Sequence, residues 1–162
     1  MTLAETVRRK IAEWRPPAEG RLALAVPDEG AGWSASVTAD RSDEVGCLVW
    51  EVALRSTASP VAADGAALTA WANQVAQRVT GLLEALKVVE VDPTRNEALL
   101  RSDIPAWQGD DVSYYEVVLH GLGRVTAQRF RGSRQPGQRR EQVLFSLTHD
   151  ALAKLVGDLV LE

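Results

Sequence analysis

The side chains best suited to recognise another molecule are five arginines crowded into one stretch, RFRGSRQPGQRRE, at residues 129–141. Arg129, Arg131, Arg134, Arg139 and Arg140 stand there with no acid between them, although the chain holds 22 acidic residues against 18 lysines and arginines, a formal net charge of -4. A guanidinium offers a planar fork of donors that matches a carboxylate or a phosphate, and its field reaches roughly 8–10 Å in physiological salt. Charge segregated in this way suits an acidic protein segment, another copy of the chain included. Nucleic acid fits less well. A polyanion is drawn to a domain that is basic overall and exposes aromatic rings for stacking, and here only Phe130 is interleaved. Anion or nucleic-acid binding through residues 129–140 is the alternative reading. Gly132, Ser133, Pro136 and Gly137 also describe a mobile hairpin loop that the arginines keep solvated. Trp107, in IPAWQGDD, is the other surface candidate. A loop tryptophan either folds back onto the sheet, the expectation here, or marks a binding surface.

Catalytic and metal chemistry find fewer residues. The chain has no GxxxxGK[ST] loop, no GxGxxG after a strand, no GxSxG elbow and no HExxH. GAGWSAS breaks off after its second glycine and reads as a turn ahead of a strand. One cysteine and two widely separated histidines, His120 and His149, cannot form a structural zinc site. His149 beside Asp150 would be a base at a helix start, where the dipole disfavours its protonated form. With no nucleophile or second base near it, a solvent-facing histidine beside a cap is expected. His120 precedes a GLG turn and is expected to be exposed. Asp110 and Asp111 lack the spaced oxygen ligands of a calcium loop and read as turn residues. Cys47 lies in the apolar run GCLVWEVAL, so a buried, inert thiol in a reducing compartment is expected. No catalytic residue, cofactor or metal is assigned.

These residues need a scaffold, and 162 residues suit a single domain, 1–162, able to bury roughly two-thirds of its unfolded surface. The 46% hydrophobic and 25% charged fractions exclude a disordered chain. No apolar run approaches the roughly 20 residues of a membrane span. MTLAETVRRKIAEW mixes charged with apolar residues where a secretory leader is continuously apolar. A soluble cytoplasmic protein is expected.

Thr2 and Glu5 form a capping box ahead of a helix with Leu3, Val7, Ile11 and Trp14 on one face, stopped by Pro16 and Pro17. Strands are expected at 21–26, 32–40 and 45–56. In the second, Trp33, Ala35, Val37 and Ala39 share a buried face; in the third, Leu48, Trp50, Val52 and Leu54 lie opposite Cys47, Val49, Glu51 and Ala53. The short polar DRSDEVG joins these two strands as an antiparallel hairpin. A long helix over 65–86, capped by Asp64, carries Leu68, Trp71, Ala72, Val75, Val79, Leu82, Leu83 and Leu86 at three-four spacing. Strands at 88–91, 97–102, 112–120, 124–130 and 142–147 follow, with a glycine turn after His120. Thr148 caps a final helix whose apolar face holds Leu152, Leu155, Val156, Leu159 and Val160. Trp14, Trp33, Trp50 and Trp71 all fall on expected core faces.

The order α-βββ-α-βββββ-α predicts an α+β domain with a mainly antiparallel sheet and helices packed on it. In this element order, its small size and its acid excess, the chain resembles type III secretion chaperones and YbjN-like bacterial proteins. The resemblance spans most of the chain but is one of order alone, and the secretion chaperones have fewer strands after the central helix. It implies a non-enzymatic protein, often a homodimer, that holds an extended segment of another protein against its sheet and helices. The expected function is a small cytoplasmic protein-interaction or chaperone-like module without catalytic activity, its candidate contacts being the five arginines and Trp107.

Overall fold

The computed structural model describes residues 1–16, 20–58 and 64–161. Helix α1 spans Leu3–Glu13 and starts as its capping box requires: the Thr2 hydroxyl accepts from the Glu5 N–H at 3.1 Å, and the Glu5 carboxylate accepts from the Thr2 N–H at 2.8 Å. Leu3, Val7 and Ile11 are buried and Trp14 caps the end, while Pro17 lies outside the described residues. Strands β1 (Leu22–Val26), β2 (Trp33–Ser42) and β3 (Gly46–Ser56) follow, then helix α2 (Gly65–Arg78). Seven strands come next instead of five: β4 (Leu86–Asp92), β5 (Glu97–Ser102), β6 (Ala106–Gln108), β7 (Asp111–His120), β8 (Arg124–Ser133), β9 (Glu141–Val143) and β10 (Phe145–Thr148). Helix α3, His149–Leu159, closes the order. The architecture is α+β with one antiparallel sheet in the order β1-β2-β3-β8-β7-β5-β4.

The hydrophobic strand side chains that are fully buried all point to one side of that sheet, where the three helices pack. Trp71 of α2 ties the layers together. It is 1% exposed, its ring centroid stands 5.9 Å from that of Trp33, and its indole N–H donates to the Leu159 carbonyl at 3.1 Å. The bond satisfies a polar atom that burial would otherwise leave costly and fixes the end of α3 on α2.

Three departures from the expected elements have local causes. Helix α2 stops at Val79, ahead of Thr80 and Gly81, both poor helix formers. The chain then turns through Leu83 at φ 65°, leaving this leucine 98% exposed, while Leu82 and Leu86 still reach the core from a loop and a strand. A bulge in β3 places Val49 opposite Ala39 and Glu51 opposite Thr38, so Trp50 and Glu51 both face away from the helices. The extra residue reverses the alternation. Cys47, Val49, Val52 and Leu54 are therefore the buried set, and Trp50 leaves the core for the opposite face. The expected strand over 142–147 is split at Leu144, because β3 and β8 pair only over part of their lengths. Beyond that, β9 pairs with β8 and β10 pairs with β3.

Candidate interaction surface

No helix among the described residues covers the second side of the sheet. Its ladder rows can be read directly from the strand register. One row runs Arg55, Arg124, His120, Glu97, Asp92 across β3, β8, β7, β5 and β4. The next runs Ser36, Ala53, Thr126, Val118, Leu99, Glu90, starting from β2 and ending on β4. Below it lie Glu51, Gln128, Glu116, Arg101 and Lys87, with the Gln128 amide donating to the Glu51 carboxylate at 2.6 Å. Further along, the face turns aromatic with Trp50, Phe130 and Tyr114.

The arginine cluster meets this sheet in two different ways. Arg129 and Arg131 are on β8 itself, so only residues 134–140 form the connecting loop. Arg129 points to the helix side, where it donates to the Glu84 carboxylate at 3.1 Å and lies 4.3 Å from the Tyr115 ring centroid. Burial pushes the Tyr115 phenol upward from its usual range, with the neighbouring Arg129 acting against that rise. Arg131 pairs with Glu141, its ladder partner on β9, and the hydrogen bond from Arg131 to that carboxylate raises the guanidinium pKa further.

Arg140 returns to the open face. It donates to Glu116 at 2.6 Å and to the Tyr114 hydroxyl at 3.1 Å, and its guanidinium lies 3.9 Å from the centre of the Phe130 ring. The hydrogen bond to Glu116 is the main reason its pKa rises. Glu116 also accepts from Arg101 at 3.0 Å, so one carboxylate, buried in the sheet face, holds two guanidiniums. Arg21 stacks 3.6 Å from the Trp50 ring in the same manner. Carboxylates thus neutralise three of the five clustered arginines. Arg134 and Arg139 have no carboxylate partner among the described residues.

Arg134 instead covers Trp107 at 3.9 Å from the ring centroid. Trp107 does not fold back into the core as expected. It is on β6, a short strand paired with the start of β7, and remains 49% exposed. The GDD turn explains this. Gly109 takes φ 62°, and the Asp110 carbonyl accepts from the Arg134 N–H at 3.0 Å, so β6 is held as a hairpin arm beside the arginine loop. Ile104, 79% exposed, precedes it. The β6 hairpin was hidden in the sequence because three residues carry no readable period.

The remaining titratable residues do not converge. The Asp43 carbonyl lies 2.9 Å from His149 Nε2, and Asp150 pairs with Arg8 at 2.6 Å, so the two neighbours are engaged separately. His120 is partly shielded, 33% exposed in its side chain, and 3.5 Å from Glu97. Burial lowers its pKa first, Arg124 adds to that, and Glu97 opposes both. Asp110 sits in the hairpin turn, Asp111 opens β7 opposite Gln108 instead of lying in the turn as expected, and no group of metal-binding side chains occurs among the described residues. The Cys47 thiol is buried against Ser42, and burial raises its pKa. No helix among the described residues is long and apolar enough to cross a membrane.

The chain matches no known protein family, and neither the curated proteins nor the solved structures hold a significant match to it.

Proposed function

We propose that this chain is a protein-interaction module with a chaperone-like role, holding an extended, partly acidic segment of another protein at the aromatic and arginine end of its open sheet face. The observation that carries this reading is Trp107, half exposed on a hairpin arm beneath Arg134, with Arg139 nearby in the same loop. Exposed tryptophan and arginine are the side chains most able to anchor a partner. Among the described residues strand β6 pairs on one side only, which lets an extended segment add beside it through backbone hydrogen bonds. The two guanidiniums without carboxylate partners then select acidic side chains.

A cytoplasmic setting suits the single buried thiol. The element order shared with type III secretion chaperones and YbjN-like proteins supports a holding role by analogy only. A polyanion is the poorer ligand. Glu116, Glu51 and Glu97 lie on the same face, and three of the clustered arginines already have carboxylate partners.

The test uses a fluorescently labelled extended peptide of alternating Asp and Leu, with a labelled oligo-dT strand for comparison. Saturable anisotropy for the peptide, lost in W107A and in R134A/R139A, is expected. Tighter binding of the oligonucleotide, with a steep salt dependence abolished by the same arginine changes, would replace this reading with nucleic-acid binding.

A further inference from the structure

We infer that the protein forms a homodimer in which two copies pack open sheet face against open sheet face, around a two-fold axis lying along the row Ala53, Thr126, Val118, Leu99. Such a dimer goes beyond the proposed function and uses the opposite end of the face from Trp107.

The open face carries a pattern that a lone sheet should avoid. Arg55 and Arg124 are direct ladder partners, as are Glu97 and Asp92, and so are Arg101 and Lys87. Like charges set directly opposite each other on one face are destabilising. Glu116 answers Arg101 and Asp103 lies 3.8 Å from Lys87, but Arg55 and Arg124 have no carboxylate partner among the described residues. Departures from a local rule of this kind are expected at functional or strained sites.

The four charged corners form an alternating quadrupole. Positive Arg55 and Arg124 share one end of the first row with negative Glu97 and Asp92 at its other end; in the third row the signs reverse, with Glu51 at the β3 end and Arg101 and Lys87 at the β5 and β4 end. Rotation by 180° about the middle row sets the first row of one copy on the third row of the other. Arg55 then faces Glu51 of the second copy, Glu97 faces Arg101, and Asp92 faces Lys87. Arg124 meets the amide of Gln128. Along the axis each residue meets itself: Ala53, Thr126 and Val118 are small enough to let two sheets approach to the usual spacing of about 10 Å, while Glu90, opposite Leu99 at the exposed β4 end, meets its own mate between the two Asp92–Lys87 contacts.

This placement also decides how much of the face is used. Rows beyond the third have no counterpart across the axis, so Phe130, Tyr114 and Trp107 overhang at opposite ends of the dimer and stay accessible. Three rows about 6.8 Å apart across five strands about 4.8 Å apart give a footprint on the order of 500 Å². A standard interface buries about 800 Å² per partner, so this one is small and the dimer should be reversible.

Sedimentation equilibrium of the intact chain over a wide concentration range tests this. The mass should rise with concentration from the 17.6 kDa of one chain toward twice that value. R55E should weaken association at least tenfold by setting a new carboxylate against Glu51 of the second copy, and E51R should do the same by setting a new guanidinium against Arg55. An equimolar mixture of the two variants restores both contacts in a heterodimer and should recover the parental mass. A53R, with a long side chain at the axis, should be monomeric, and thermal melts of each variant establish that it is folded. A chain that stays at one mass across the range overturns the inference. So does a dimer that R55E, E51R and A53R leave intact, or a mixture that fails to recover. None of these results bears on peptide binding at Trp107, whose failure is read from the separate W107A experiment.

Discussion

Glu84→Ala should be among the most damaging single substitutions outside the apolar core. The Glu84 carboxylate accepts from Arg129 at 3.1 Å, with the two side chains only 18% and 14% exposed, and Tyr115 closes the other side of the guanidinium. Removing the acid leaves a charge with little access to water. Breaking a buried pair in this way costs about 3–5 kcal/mol. The lower end applies here, about 3 kcal/mol, because Glu84 Oε1 and Arg129 Nη1 already lack a protein hydrogen-bond partner among the described residues and the pair is imperfect. For a domain of this size that corresponds to a melting temperature roughly 6–12 °C lower. The double variant E84A/R129M removes both charges and should lose far less than the sum of the two single changes, since apolar replacement of a buried pair is often nearly neutral. Urea titration followed by tryptophan emission, with unchanged slope, gives each value. Single losses below about 0.5 kcal/mol, or losses that simply add in the double variant, would refute the claim that this pair acts as a unit shielded from solvent.

Gly46→Ala should destabilise the junction of β3 and β10, because an added Cβ would overlap the backbone carbonyl of Leu147, a neighbour that cannot swing aside; a loss of about 1–3 kcal/mol by urea titration, with faster amide exchange across β10, is the expected result. Acid should weaken the fold through two turn carboxylates. Asp28 is held below its ordinary pKa chiefly by the hydrogen bond from Thr57 and then by the Gly32 N–H, and Asp43 by the N–H groups of Val45 and Gly46. A folded value below the unfolded one means their contribution is complete above about pH 4 and is lost as pH falls through the folded values, so D28N/D43N should flatten the acid limb of a melting-temperature profile below about pH 4. The Cys47 thiol, raised by burial, should react with a thiol reagent only as fast as the native state opens, and at ordinary rates in denaturant.

Helix caps and single-face periods were legible in the chain because they are local: Thr2 with Glu5, Asp64 with the N–H of Ala67 and Thr148 with that of Ala151 are each separated by three positions. Trp50 shows where that legibility stops. Its alternation with Val52 and Leu54 is perfect in sequence, yet one bulge places it on the opposite face under Arg21. Nothing in the order of residues announces the bulge, since its cause is the register between two strands. The arginine stretch failed in a related way. A run of positive residues is visible, but the carboxylates that answer it, Glu84 and Glu116, come from a loop after α2 and from β7. Local composition therefore overstated the free charge of residues 129–140.

Arg55 and Arg124 are the reverse case. In the chain they are unremarked single charges, separated by α2 and most of the second half of the sheet, and neither belongs to a cluster. Pairing of β3 with β8 makes them neighbours without a carboxylate among the described residues, so the cation density that segment 129–140 loses on folding reappears at a place composition cannot show. Strand order, which the hairpin-by-hairpin reading left open, thus decides which arginines are paired inside the chain and which are left without a carboxylate among the described residues. A charge reversal at Arg55 should consequently alter self-association more than one at Arg131, even though Arg131 stands in the more basic stretch, because Arg131 is already matched by Glu141. Equal effects at the two positions would mean that overall charge, and not the register of the sheet, governs how copies of this chain meet.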